Sequence, residues 1–300
     1  MGGAALAIHP GALGDVLLAV PALRALRDAG ARVMLAAQPR LASLLLALGE
    51  IDAACDFDAL HLDALFAAEH GARLPAVDRI VCWFGARDPD FARRLAATGL
   101  RLTVAPSVAP PGRDVWEHLL ATLGDGSTRA RRDVVRLADG LIGEGRAALS
   151  AACADDARPV VVVHPGAGSS AKRWPAAAFA EVLVPLTARR NLQIVVHEGP
   201  ADAEPVAQLS RLVPSARVLR GPALPALAGV LARCAAYVGN DSGVSHLAAA
   251  VGARAVVLFT PANLAWRPWA LAPRVLTVAT DCATLRDVRA VRHALEAVVA

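Results

Sequence analysis

Three short segments of this 300-residue chain gather the residue types that handle anions and protons. The first is His164-Pro165-Gly166-Ala167-Gly168-Ser169-Ser170-Ala171-Lys172-Arg173-Trp174-Pro175, and its lysine is the single lysine of a chain with thirty arginines. An ammonium is a compact point charge on a flexible stem, whereas a guanidinium is a wide planar fork, so a tight phosphate site distinguishes them. Chance survival of one lysine in an arginine-biased composition is the plain alternative. Position favours a role, because a Gly/Ser-rich turn offers backbone amides and hydroxyls, such as that of Ser169, to a phosphate. The segment lacks the GxxxxGK[ST] order of a Walker A loop, and no GxGxxG follows a strand, which disfavours ordinary dinucleotide binding.

The second segment is Gly11-Ala12-Leu13-Gly14-Asp15-Val16-Leu17-Leu18. Gly11 and Gly14 permit close backbone approach, and Asp15 stands where a helix begins. Two roles are open for it: a first-turn carboxylate favoured by the helix dipole, or a base that takes a proton from an acceptor hydroxyl. The third, Gly239-Asn240-Asp241-Ser242-Gly243-Val244-Ser245-His246-Leu247, is the densest polar cluster of the second half. Asp241 or Ser242 can cap the helix that starts near 243, and His246 can be a buried histidine satisfied by backbone. Neither role excludes contact with a pyrophosphate or ribose, since amides of a capped helix still attract anions.

The elements that position these loops follow from hydrophobic patterning. Short apolar runs at 4–8, 33–37, 79–84, 100–104, 159–163, 192–197, 216–219, 235–238 and 254–259 alternate with helical patterns at 14–29, 88–98, 175–190, 203–213, 224–234 and 243–252. Such alternation, with continuously apolar strands, predicts α/β domains whose parallel sheets are covered on both faces. The series restarts at 159 after the polar, Arg-rich segment 125–158, which predicts two domains, 1–150 and 151–300. Ligands of open α/β sheets bind beyond the carboxyl ends of strands. The three polar loops follow the runs 4–8, 159–163 and 235–238, and two domains facing across a cleft would bring them together.

Composition narrows the function classes. With 55% hydrophobic and 19% charged residues the chain is globular. Residues 1–150 hold sixteen basic and seventeen acidic residues and 151–300 hold fifteen and ten, so the positive surplus lies in the second half, as an anionic ligand there would suit. The surplus is too weak, and the chain too poor in aromatic residues, for nucleic acid. Cys55, Cys82, Cys153, Cys234 and Cys282 are far apart and form no CxxC, which predicts reduced thiols and no metal site. Met1-Gly2-Gly3-Ala4-Ala5-Leu6-Ala7-Ile8-His9-Pro10 has no basic n-region and reaches a Pro/Gly turn early, unlike a signal peptide. No apolar stretch is long enough to span a bilayer.

Taken together, the motifs resemble the heptosyltransferases of glycosyltransferase family nine, which build the inner core of lipopolysaccharide from ADP-activated heptose. The resemblance rests on 11–18 with Pro21-Ala22-Leu23, on His164-Pro165-Gly166-Ala167-Gly168 with Lys172-Arg173-Trp174-Pro175, and on 241–250 with Gly252, Leu258-Phe259 and Pro261. It implies a GT-B architecture of two Rossmann-like, doubly wound domains, the first for the acceptor and the second for the nucleotide sugar. Carried over by position, Asp15 is the general base, next to Gly14, and Lys172 binds the donor phosphates. Gly14, Ser169, Asp241, Ser242, Gly243 and His246 line the donor, while Asp202, with Glu198 as neighbour, stands where an acidic residue holds the nucleoside.

The implied reaction is an inverting transfer of heptose from an ADP-sugar to a hydroxyl of a glycan such as lipopolysaccharide core. No cofactor or metal is implied beyond the nucleotide-sugar co-substrate. The implied setting is cytoplasmic, peripheral to the inner membrane where the acceptor is lipid-linked. Other readings are a GT-B-like sugar-nucleotide epimerase, heptosyl transfer to a protein or small molecule, and a non-catalytic nucleotide-sugar-binding module. The chain departs from the family pattern at His9-Pro10 and at Thr260-Pro261-Ala262-Asn263. Arg129, Arg131 and Arg132, or Arg93 and Arg94, are either a local acceptor patch or a solvated surface.

Overall fold

The computed structural model describes residues 3–67, 71–124, 130–153 and 158–299. The chain forms two compact units, Met1–Arg132 and Asp133–Ala300. The first runs β1 (Ala4–Ile8), α1 (Leu13–Leu18), α2 (Val20–Asp28), β2 (Arg32–Ala37), α3 (Pro39–Ala47), β3 (Ala53–Asp56), α4 (Ala64–Ala67), β4 (Arg79–Cys82), α5 (Pro89–Ala96), β5 (Arg101–Val104) and α6 (Val115–Ala121). The second runs α7 (Asp139–Ala152), β6 (Val160–His164), α8 (Ala176–Arg190), β7 (Gln193–Glu198), α9 (Ala203–Leu212), β8 (Arg217–Arg220), α10 (Leu224–Arg233), β9 (Ala236–Asn240), α11 (Gly243–Ala250), β10 (Ala255–Phe259), β11 (Arg274–Thr277) and α12 (Leu285–Val299).

Each unit is a parallel α/β sheet. Among the described residues the first has strand order β3-β2-β1-β4-β5 and the second β11-β10-β9-β6-β7-β8. In register, Leu6 faces Met34 and Ile80, while Val162 faces Val195 and Tyr237. The apolar strands are continuous because both faces are covered. In the second sheet Val161, Val163, Ile194, Val196, Val238, Val256 and Leu258 pack with Trp174 and Phe179 in one core. The alternate residues Val162, Val195, Tyr237 and Val257 are equally inaccessible on the other face. Strand order reverses between β1 and β4 in the first sheet and between β6 and β9 in the second. These are the crevices where such sheets hold ligands.

Three departures from the predicted elements have physical causes. The helix predicted over 14–29 is two, broken at Ala19, with Pro21 in the first turn of α2, where a missing N–H costs nothing. The weakly apolar β3 and β11 were not predicted; they are short and lie at sheet edges. The units part at Arg132, ahead of the predicted 150/151 junction, because α7 forms within the polar segment 125–158 and packs on α10 of the second unit. That packing is backbone on backbone: a Cβ on Gly145 would overlap the main chain of Gly229 and Val230, and one on Gly229 would overlap the Leu141 carbonyl.

No helix among the described residues is long and apolar enough to cross a membrane. Because backbone atoms of α10 cannot step aside as a flexible side chain would, Gly145→Ala is expected to destabilise the second unit by about 1–3 kcal/mol or more. Urea unfolding followed by circular dichroism checks this, against Gly143→Ala on the same helix, where a Cβ meets nothing within 4 Å.

Candidate functional site

In the first unit the candidate loop leaves β1 at its carboxyl end. His9 is 2% exposed, and its Nδ1 accepts a hydrogen bond from the Gly11 amide at 3.2 Å. That bond places the ring proton on Nε2, which is buried without a hydrogen-bond partner among the described residues. Burial pulls the imidazole down to about 4, against the opposing attraction of Asp15. A Cβ on Gly11 would press on both Asp15 Cβ and His9 Cε1 at 2.8 Å, so glycine is needed for the loop to pass between them. Asp15, at the third position of α1, is half-buried and accepts from the Ala12 amide at 3.1 Å through Oδ2. The structural role considered for Asp15 is therefore real. It occupies one carboxylate oxygen. Gly14 is half-buried, one residue before it in the same turn.

In the second unit the loops after β6 and β9 flank the strand reversal. Asn240, the last residue of β9, is wholly buried. Its Nδ2 donates to the Pro165 carbonyl at 2.8 Å, and its Oδ1 accepts from the Trp174 amide at 3.0 Å. One side chain thus holds both ends of the loop that carries Lys172. Beyond it, the Ser245 hydroxyl donates to the Asn240 carbonyl at 2.6 Å and contacts the Tyr237 hydroxyl at 2.7 Å. Ser242 caps α11 by accepting from the Ser245 amide at 3.3 Å. Gly243, half-buried, opens that helix.

The charges meet next to this clamp. Lys172 Nζ lies 2.8 Å from Asp241 Oδ2, with one third of the lysine side chain exposed and the aspartate 5% exposed. The other Asp241 oxygen is 4.0 Å from His246 Nε2. Burial, and then the nearby Lys172, push His246 down to about 4, so it is neutral at pH 7. The constellation is a partly exposed ammonium held by a buried carboxylate over a neutral imidazole. Ser169 is exposed and supports the turn by its backbone, its carbonyl accepting from the Lys172 amide at 3.2 Å. The two loops present a cation, exposed serine hydroxyls and the first amides of α11, which together suit a phosphate or diphosphate.

Glu198 and Asp202 separate. Glu198 ends β7, partly exposed, and pairs across the sheet with Arg220 at 3.4 Å. Asp202 is buried; it accepts from the Gly199 amide at 3.0 Å and lies 4.0 Å from His164 Nε2. His164 and His197 share a ring-to-ring hydrogen bond through Nδ1 atoms at 3.1 Å. Burial lowers His164 to about 4 and, with His164 adding to it, His197 to about 3. The ligand atoms of His164, His197 and Asp202 lie within 4.8 Å of one another, a grouping that spacing in the chain did not foretell. Gly166 leaves the room that Asp202 fills, since a Cβ there would overlap its carboxylate.

Other arginines have local partners. Arg93 and Arg94 pair with Asp90, Arg131 with Asp28 at 3.0 Å, and Arg132 lies over the Trp116 ring at 4.7 Å. Arg129 lies outside the described residues. Asn240 and His9 are the site residues that sequence reading passed over. Asn240 was visible as a polar residue ending an apolar strand, and His9 as one beside a glycine turn.

Two parallel-sheet, Rossmann-like units in sequence, with an anion-suited loop pair at the second sheet's reversal, define the GT-B class of fold. A model of glycosyltransferase family 9 (heptosyltransferase) matches residues 140–292. The chain belongs to that family. It is 30% identical over 115 residues to lipopolysaccharide heptosyltransferase 3 of Escherichia coli, a match that spans 36% of this chain and only about a third, 34%, of that protein. Two solved structures share the fold. A glycosyl transferase family 9 protein from Veillonella parvula superposes with a TM-score of 0.77 at 18% identity, covering 99% of this chain and 97% of that one. The E. coli ADP-heptose lipopolysaccharide heptosyltransferase II gives 0.73 at 22% identity, covering 100% and 98%.

Two measurable consequences follow from this geometry. Asn240→Ala leaves the Pro165 carbonyl and the Trp174 amide without partners, each costing about 1–3 kcal/mol if buried; thermal unfolding should register the loss. The buried histidines set a pH dependence. Their folded-state values, about 3 to 4, lie below the ordinary 6.5, so the unfolded chain binds more protons in acid. Their contribution is complete above pH 6.5 and is lost as pH falls toward 4. Calorimetric scans should show the midpoint falling across that window, more for the second unit, which holds His164, His197 and His246.

Proposed function

We propose that this chain is an inverting glycosyltransferase that moves a sugar, heptose being the one its family description names, from an ADP-sugar to a hydroxyl of a glycan such as lipopolysaccharide core. The observation that carries the reading is the Lys172–Asp241–His246 group at the strand reversal of the second sheet, in a chain of this family. The E. coli ADP-heptose lipopolysaccharide heptosyltransferase II shares the fold and supports the donor assignment. Unit two holds the donor: Lys172, the Ser169 hydroxyl and the amides of Ser242 and Gly243 take the diphosphate. Asp241 orients the ammonium and His246 stays neutral behind it. Glu198, partly exposed at the carboxyl end of β7, is better suited to ribose hydroxyls than the buried Asp202, which braces the loop through His164.

The chemistry is one displacement. The acceptor oxygen forms its bond to the anomeric carbon as the bond to the diphosphate oxygen breaks. Asp15 removes the hydroxyl proton, and the electron pair leaves with ADP. An ordinary carboxylate, with a reference pKa of about 4, is a weak base, so removal accompanies attack instead of preceding it. Negative charge gathering on the leaving phosphate meets Lys172 and the α11 amides, a preorganised arrangement of the kind worth about 3–4 kcal/mol per donor in other active sites. The nucleotide sugar is the co-substrate and no other cofactor is assigned. The acceptor includes lipid-linked glycans at the inner membrane surface, where a cytoplasmic, peripheral enzyme would meet them.

Asp15→Asn is expected to lower turnover about a hundredfold or more while donor binding persists. Lys172→Arg is expected to lower turnover about tenfold or more, because a wide planar guanidinium paired with Asp241 does not place its charge on the phosphate as a compact ammonium on a flexible stem does. Mass spectrometry of an acceptor panel with ADP-heptose reads both. Full activity in Asp15→Asn removes the proposed base, and isomerised donor without acceptor would indicate an epimerase.

A further inference from the structure

The second sheet has another charged site at its opposite end. A half-open cavity of about 490 Å³ lies where β6, β9 and β10 begin, and Arg146, Arg158, Arg233 and Arg254 converge on it. The strand between this cavity and the Lys172 loop is β6, five residues, or roughly 15 Å at about 3.3 Å each. The two places are therefore distinct. Among the described residues no carboxylate is ion-paired with any of the four guanidiniums, unlike Arg24, Arg93, Arg131, Arg173 and Arg220. Arg158 is anchored by one edge: its Nη2 donates to the Leu192 carbonyl at 2.7 Å and its Nε to that of Asn191 at 3.3 Å. Arg146, Arg233 and Arg254 are exposed.

Arginines near helix carboxyl ends normally answer the helix dipole, and α7 and α10 both end at this cavity. The dipole does not balance the charge. Two helix ends supply roughly −0.5 each, about −1 together, against four full positive charges. Among the described residues the remainder is close to three guanidiniums without a carboxylate partner, around a concavity of the size that takes small ligands. Guanidinium forks match phosphate oxygens in pairs, and several converging forks select a doubly charged, multi-oxygen anion. The basic surplus of the second half is thus not consumed at the Lys172 loop, where the cations Lys172 and Arg173 are each paired with a carboxylate.

We infer that this cavity is a second anion site, specific for a phosphate group, built by Arg146, Arg233 and Arg254 on a frame held by Arg158. It is separate from the donor loop and does not depend on the catalytic reading. The same chemistry is offered by a soluble phosphate and by an anionic lipid headgroup.

The test uses the full chain carrying Lys172→Ala, which silences the other candidate phosphate site. Inorganic phosphate and pyrophosphate are titrated by calorimetry, and flotation is measured with phosphatidylcholine vesicles with or without phosphatidylglycerol. Binding in either arm should fall about tenfold or more when Arg146, Arg233 and Arg254 are together changed to glutamine. The single exposed change Arg233→Gln should give a smaller loss in the same direction, which keeps the test valid if the triple variant folds poorly. Saturable phosphate binding lost in the variants identifies a soluble ligand, and phosphatidylglycerol-dependent flotation lost in them identifies a headgroup. Absence of binding in both arms, or binding that survives the arginine replacements, overturns the inference.

Discussion

The Asn240 side chain is the interaction on which the candidate donor site depends. It ends a fully buried strand and spends its amide on two main-chain groups, the Pro165 carbonyl and the Trp174 amide, that bracket the Lys172 loop. A loop fastened at both ends has little freedom to give up when an anion arrives. The residue after Asn240 is Asp241, whose amide is fixed to the Leu258 carbonyl at 2.8 Å, so the carboxylate that meets Lys172 is positioned by the sheet itself. Ser245 completes the arrangement by joining the Asn240 carbonyl to the Tyr237 hydroxyl. Loop, carboxylate and helix N-terminus are three consequences of one strand end.

Charge is sparing inside this frame. The three buried histidines of this unit, His164, His197 and His246, are held neutral by desolvation, so none of them competes with Lys172 for an anion or repels it by adding unshielded charge of its own. The buried Asp241 partly cancels the ammonium until a ligand brings its own negative charge. A buried carboxylate with a partly exposed cationic partner is costly to strand, which favours keeping the lysine near the pocket instead of out in solvent. The His164–His197 pair, with the Asp202 carboxylate 4.0 Å from His164, braces the next loop of the same sheet.

Much of this was legible in the residues. Continuous apolar runs predicted nine of the strands near their observed places, because a strand buried on both faces has no polar face to blur the pattern. The three polar loops could be assigned to strand ends for the same reason. Edge strands β3 and β11 escaped because short, half-covered segments carry weak periodicity, as the alternating exposure of 53–56 illustrates. The helix α7 escaped because its glycines read as breakers. Gly145 is there for close approach to α10, a tertiary requirement that local propensity opposes. The meeting of His164, His197 and Asp202, and the reach of Asn240 to residues 75 and 66 positions away, are long-range contacts that no local spacing encodes.

The proposed task of the Lys172 loop is to recognise a diphosphate. Calorimetric titration of ADP and AMP into the wild-type chain and into Lys172→Ala tests it as a thermodynamic cycle. ADP should bind the wild type about tenfold or more tighter than AMP, a difference of about 1.4 kcal/mol or more, and that gap should close in the variant. Equal affinity for ADP and AMP in the wild type, or a gap that persists without Lys172, would contradict it.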